Sequence, residues 1–272
     1  MNAVIFAETL RRGWRTALYW SIGLAAYAAY VLLIFGGDAD ARAQMADLLA
    51  TKMPGFLGAM FGIPDDAAFL MTNEGFYSFT YFTYVSLMVA VWAVLAGLSI
   101  TANDEDSGVM NMLLALPVPR WRVVAERIGA QLVLLVLILF GGFAGTVAVM
   151  QALPAMQIDL GRVAAGNVGL WLLIGAIVCV TALLSVLFRR RSTAGAVAGV
   201  FVAASFLLNT LAGSTQSDVG LAMQQASLFY HFDSADILQN GLSFGAVGVL
   251  AAVSVGVVWL TAQRFGRRDI GG

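Results

Sequence analysis

The chain has 272 residues, of which 60% are hydrophobic and 11% charged, with a formal net charge of −1 and a mean hydropathy of +0.84. Such scarcity of charge excludes an ordinary soluble domain and leaves no basic surface for nucleic acid. The single cysteine, Cys179, excludes an intrachain disulfide and reads as a packing residue.

Six stretches contain no charged residue: 16–37, 75–103, 128–158, 163–188, 192–217 and 237–263. The shortest has 22 residues, and about 20 apolar residues of helix cross a hydrocarbon core. The predicted fold class is therefore all-α: a polytopic membrane protein forming a single transmembrane domain over 1–272. Its six transmembrane helices are expected at about 16–35, 76–102, 129–152, 166–188, 193–212 and 244–263.

Residues 1–15 precede the first span and read as an amphipathic helix on the membrane surface. Val4, Ile5, Leu10 and Trp14 turn to lipid, while Glu8, Arg11, Arg12 and Arg15 stay with water. The apolar run Thr16 to Phe35 is too long for a signal-peptide core and reads as an uncleaved span. The loop from Gly36 to Glu74 carries Met45, Leu48 and Leu49 at helical spacing and the apolar pairs Phe56-Leu57 and Met60-Phe61. It is expected to lie along the outer membrane surface or to cap a cavity.

The second span opens on Phe76, Tyr77, Phe79, Tyr81, Phe82 and Tyr84. These rings form either an interfacial aromatic belt or, in part, the lining of a substrate path. Gly141 and Gly145 in the third span, and Gly195 and Gly199 in the fifth, stand four residues apart and mark places where helices approach closely. The loop from Gly213 to Gly241 includes the apolar portion Leu221 to Phe232, read as a membrane-dipping element. His231, the only histidine, reads as an interfacial side chain within it.

Charge sets the orientation. Twelve of the 15 basic residues fall beside the first span, between spans two and three, between four and five, or after six; only Arg42, Lys52 and Arg162 fall on the opposite side. Cationic loops stay cytoplasmic, so both ends of the chain are expected in the cytoplasm and the loops 36–74 and 213–243 outside. Ion-coupled carriers place ionisable groups within the membrane, and the six stretches hold none. A secondary transporter or channel would have to use a polar uncharged site such as Thr80, Thr83, Ser86, Ser205 or Asn209; it is the alternative reading. A metalloprotease motif such as H-E-x-x-H is missing, and Asp104, Glu105 and Asp106 read as a helix cap rather than as metal ligands.

Residues 103–128, between spans two and three, form the segment to which we assign function. After the acidic start, Val109, Met112, Leu113 and Leu116 recur at i, i+3, i+4 and i+7, which predicts a short amphipathic helix at about 104–116. Pro117 ends it, and Pro119 suits the first turn of the helix that carries Arg120 into span three. The product is a stiff helix held by a proline elbow against the cytoplasmic face, suited to receive a push from another protein.

The pattern Glu105, Gly108, Leu113, Leu114, Ala115, Pro117, Val118 and Arg120 resembles the signature of ABC-2 type transporter permeases. FAETLRRGWR resembles their N-terminal cytoplasmic helix. MPGFLGAMFG with NEGF, and SLFYHFDSADILQNG at 227–241, resemble outer elements of the branch associated with antibiotic export. That family often has Lys near the start of the third span, where this chain offers Arg127. The resemblance implies the membrane subunit of an ATP-driven ABC exporter in a prokaryotic cytoplasmic membrane. It further implies two copies of a cytoplasmic ABC ATPase subunit as partners and a second permease subunit, forming a homodimer or a heterodimer within membrane lipid.

The coupling element would then comprise Glu105, Gly108, Val109, Met112, Leu113, Leu116, Pro117 and Arg120. Tyr81 and Tyr84 of span two, facing Ser205 and Asn209 of a partner's span five, would line the path of a hydrophobic or amphipathic substrate such as a drug, an antibiotic or a lipid. The chain has one lysine, Lys52, followed by Met53, so it holds no G-x-x-x-x-G-K-[ST] loop. ATP and magnesium belong on the partner ATPase, and no cofactor is expected on this chain.

Overall fold

The computed structural model describes residues 4–35, 44, 69, 72–103, 119–153, 157–188, 190–213 and 218–267. Among them every regular element is helical, and six helices are long and apolar enough to cross a membrane. We label the elements α1 (Val4–Phe35), α2 (Asn73–Leu98), α3 (Arg120–Ala152), α4 (Leu160–Leu187), α5 (Arg191–Gly213), α6 (Asp218–Gln225), α7 (Ser234–Asn240) and α8 (Phe244–Arg267).

Local chemistry sets the boundaries. Thr72 caps α2, its Oγ1 accepting from the Gly75 amide at 3.0 Å. Asp159 caps α4 by accepting from Gly161 at 2.7 Å, so α4 begins at Leu160 rather than near 166. Asp233 caps α7 through the Ala235 amide at 2.9 Å. That helix stops at Gly241, whose φ of 89° suits a residue without Cβ. At its other end α2 tightens into a turn, with the Ile100 amide bonding Gly97 O, and the helix ends at Leu98 rather than near 102. The arm at 1–15, read as a separate surface helix, continues directly into the first span as α1 from Val4 onward.

Packing is organised around α4, which is the most buried span and touches α2, α3, α5, α7 and α8. The largest helix pair is α1 on α3, and the two run parallel. Phe6 meets Gly129 at one end, while Gly141 and Gly145 take the backbone of Ser21 and Ala25 further along. A Cβ at either of these two glycines would overlap that backbone, so the Gly141/Gly145 spacing does mark a close helix contact. Of the other pair, Gly195 faces Leu98 of the same chain and Gly199 faces open space.

The ends sort onto two sides. Ile100, Val124, Ile128, Cys179, Ala182, Val186 and Phe265 cluster at one, which we call the Arg-rich end. At the other, α6, the turn Phe229–His231 and α7 form a cap. Phe232 meets Phe82 edge-on at 6.1 Å and Phe229 meets Phe206 at 5.5 Å. Leu228, Phe229 and Phe232 are buried, while Leu221 and Met223 are exposed. The portion read as membrane-dipping is thus seated on the bundle by its second half. The expectations for the loop 36–71 lie outside the described residues, apart from position 44 and Phe69, which is buried.

Candidate functional site

Of the predicted coupling residues, Glu105, Gly108, Val109, Met112, Leu113, Leu116 and Pro117 lie outside the described residues. Their two anchors are described. Arg120 is the first residue of α3, and on the other side the chain leaves α2 through Ser99, Ile100 and Thr101. These anchors are bound to each other.

Arg127, only 8% exposed, donates through Nη1 to Ile100 O at 2.6 Å and, more weakly, to Ser99 O at 3.5 Å. One turn on, Gln131 Nε2 donates to Ser99 Oγ at 3.0 Å, and that hydroxyl donates to Ala96 O at 2.6 Å. The last carbonyls of a helix carry partial negative charge and have no intrahelical partner. A guanidinium answers both needs with charge-assisted bonds. The neighbouring Thr101 exchanges a hydroxyl bond of 2.8 Å with Ser185 near the end of α4. The 15 residues 104–118 therefore join two helix ends that already form one body with α4.

The same end of α3 also holds the start of α1. Glu126 accepts from the Phe6 amide at 3.2 Å and from Arg122 Nε. It lies before the charge-free stretch that begins at 128. Burial pushes its carboxyl up, but the bonds from Arg122 and the Phe6 amide outweigh that and hold it below its ordinary value. Glu126 thus caps α1 from another helix.

The proposed path residues occupy different surroundings. Tyr81 is fully enclosed: its ring stacks on Tyr77 at 4.8 Å and lies 6.1 Å from Tyr27. Its hydroxyl is buried, has no hydrogen-bond partner among the described residues and lies against Gly142. Tyr84 is half-buried, edge-on to Phe79 at 6.2 Å. Ser205 fastens the cap, accepting from the Leu228 amide at 3.0 Å and, through its carbonyl, from Ser227 Oγ at 2.6 Å. Asn209 is half-buried, with an Oδ1 that has no partner among the described residues. Within the chain, Tyr81 belongs to the packing of α2 against α1 and α3, and Ser205 to the seating of the cap on α5.

Sequence reasoning missed why the aromatic cluster turns inward. Ser78–Phe82 form a wide π turn inside α2, which lets Tyr81 and Phe82 both face Tyr77. The Thr80 carbonyl within that turn accepts from Tyr27 of α1 at 2.9 Å. Such turns concentrate where a helix has been fitted to a task. Tyr77 bonds Thr146 of α3 at 2.7 Å and Ser78 bonds Ser234 of the cap at 2.7 Å, so this one turn touches α1, α3 and the cap. The four-residue spacing of Tyr77 and Tyr81 hints at a stack, but nothing local announces the extra residue.

No curated protein matches the chain in sequence. The model of the family described as "ABC-2 family transporter protein" matches residues 7–270.

Proposed function

The chain belongs to the ABC-2 transporter family, and from that premise we propose that it is the permease of an ATP-driven exporter for hydrophobic or amphipathic substrates. Family membership makes it a transport subunit that works with an ABC ATPase. The finer reading concerns direction, site and cargo. Two copies of the ATPase dock on residues 104–120 of two permease subunits, and ATP and magnesium are held by the ATPase alone. The Arg-rich end faces the cytoplasm and the cap faces out.

The observation that carries the coupling reading is the clasp of Arg127 and Gln131 on the end of α2. With both anchors of 104–118 fastened together and to α4, displacement of that segment moves α2, α3 and α4 rather than bending a free loop. The absence of charged residues from the six stretches favours an apolar or amphipathic cargo, since a buried ion would lack a counter-charge. Tyr84 and Asn209, the half-buried members of the proposed path, are its better-placed lining residues.

The test is co-purification of the ATPase with tagged permease, followed by transport. An apolar anchor carries more binding energy than a charge at the rim. Leu113→Asp should therefore release the ATPase, Arg120→Ala should weaken it less, and both proteins should remain inserted. Normal binding and transport with Leu113→Asp and Glu105→Ala combined would remove 104–120 from the mechanism.

A further inference from the structure

The cap and the π turn of α2 hold each other in place. Within the turn the Thr83 amide reaches back five residues to Ser78 O, and the Thr83 hydroxyl donates to the same carbonyl at 3.4 Å. One extra residue is thereby inserted between two regular stretches, Asn73–Tyr77 and Thr83–Leu98. The later stretch is fixed, since Gly97 lies against Thr181 of α4 and Arg127 clasps its end. The earlier stretch owes its facing to the insertion. Tyr77 is turned to Thr146 of α3 and Ser78 to Ser234 of α7, each at 2.7 Å. α7 has only seven residues, and its other end is held by Arg162, whose Nη1 donates to Leu238 O at 2.9 Å.

Closing the turn to an α-helical one would rotate the earlier stretch by about 100° and shift it by about 1.5 Å. Each of its residues would take the place of the one before it. Ser78 would stand where Tyr77 stands, a phenol ring short of Thr146, and Phe79 would stand against Ser234. That contact now joins two buried hydroxyls, so a ring placed there excludes α7. A seated cap and a wide turn therefore require each other, and a lifted cap frees the turn to close. We propose that the π turn is a register switch worked by the cap: wide with α7 seated, α-helical with α7 released. Packed helices change between discrete arrangements rather than bending continuously, and one inserted residue supplies two such arrangements. Tyr27 of α1 sets the balance, because its hydroxyl donates to Thr80 O within the turn at 2.9 Å and steadies the wide form. Through Tyr27 and Thr146 the turn passes the state of the cap to α1 and α3.

The test is the reactivity of Ser234→Cys toward a water-soluble maleimide in the full-length protein held in lipid nanodiscs, with adducts located by peptide mass. Ser234 is 9% exposed, so this variant should react slowly. Cys179, 1% exposed, should stay unlabelled throughout and report an intact bundle. Tyr27→Phe should raise the rate at 234 several-fold. Deleting Thr80 removes the inserted residue yet leaves 73–78 on the same face, so the rate should stay low and Tyr27→Phe should no longer raise it. A second variant serves if that deletion fails to fold. With Tyr77→Ser and Ser78→Tyr combined, the phenol reaches Thr146 only in the α-helical register. Phe instead of Tyr at 78 should then lower the thermal midpoint, and should cease to do so when Thr146→Val is added. No acceleration by Tyr27→Phe, equal acceleration with and without Thr80, or a midpoint at 78 indifferent to Thr146 would overturn the proposal. So would labelling of Cys179 in step with position 234, which reports general loosening. None of these readouts uses ATP or transport, so the outcome is independent of the exporter reading.

Discussion

Arg127 faces the end of α2, where carbonyls lack intrahelical partners, and its guanidinium covers those of Ser99 and Ile100. Arg127→Ala leaves these buried acceptors short of a donor, at a cost of about 1–3 kcal/mol. The thermal midpoint of the purified protein should fall, and Arg127→Lys should recover only part of the loss, because both bonds leave the terminal Nη1, which a shorter and more strongly hydrated lysine ammonium does not reach as well. Tyr81 makes the opposite prediction. Its hydroxyl is buried with no hydrogen-bond partner among the described residues, so Tyr81→Phe removes a desolvation cost and should leave stability unchanged or raised. Tyr77→Phe gives up the bond to Thr146 and should cost about 1 kcal/mol. Gly142→Ala should destabilise most of the three, because the new Cβ would overlap the Tyr81 hydroxyl and the stacked ring has little room to move. Thermal midpoints measured side by side check the order; a large loss in Tyr81→Phe would contradict it.

Among the elements, α1 shows both what periodicity reveals and what it misses. Its apolar run was legible as a span, yet the arm before it continues as the same helix, because Phe6 and Gly13 pack on Gly129 and Leu134 of α3 and Glu126 caps its first turn. Contacts between helices distant in sequence leave no local trace, which is also why the π turn at Ser78–Phe82 was not anticipated. Gaps between charges located the spans but not their ends. Asp159 starts α4 in the short charged interval between two charge-free stretches, and the turn at Ser99 stops α2 before its gap runs out. Of the candidate site, the sequence shows Arg127 only as a basic residue near the start of the third span, and its partners are carbonyls that no side-chain pattern encodes. The Glu126 cap also carries a pH dependence. Its carboxyl is held below the ordinary value, so the stabilisation is complete above the normal carboxylate range and is lost as pH falls through the lowered pKa. Hydrogen exchange of the first turn of α1 should therefore quicken in acid, and Glu126→Gln should quicken it at neutral pH to a similar extent. Equal protection in both proteins at neutral pH would contradict the cap.

For the whole molecule, α1, α5 and α8 are the least buried spans, with Tyr19, Val200 and Val255 turned outward. In water such surface would drive aggregation; in a bilayer it can face lipid and, on the proposed reading, a second permease. The orientation rests on the arginines. With Cys179→Ala as background, a cysteine replacing the exposed Val219 of the cap should react with a membrane-impermeant maleimide on intact cells, and one replacing Ser192 at the Arg-rich end should not. The reverse pattern would invert the protein and place the coupling segment outside.

The central claim, that this chain is an exporter permease driven by a separate ATPase through residues 104–120, is tested most directly by ATP hydrolysis in proteoliposomes holding the permease and its co-purified ATPase. Hydrolysis is predicted to be vanadate-sensitive and stimulated by amphipathic compounds. With Leu113→Asp the stimulation should vanish while the isolated ATPase keeps its basal rate. Full stimulation with Leu113→Asp, or a response to small hydrophilic ions alone, would contradict the account.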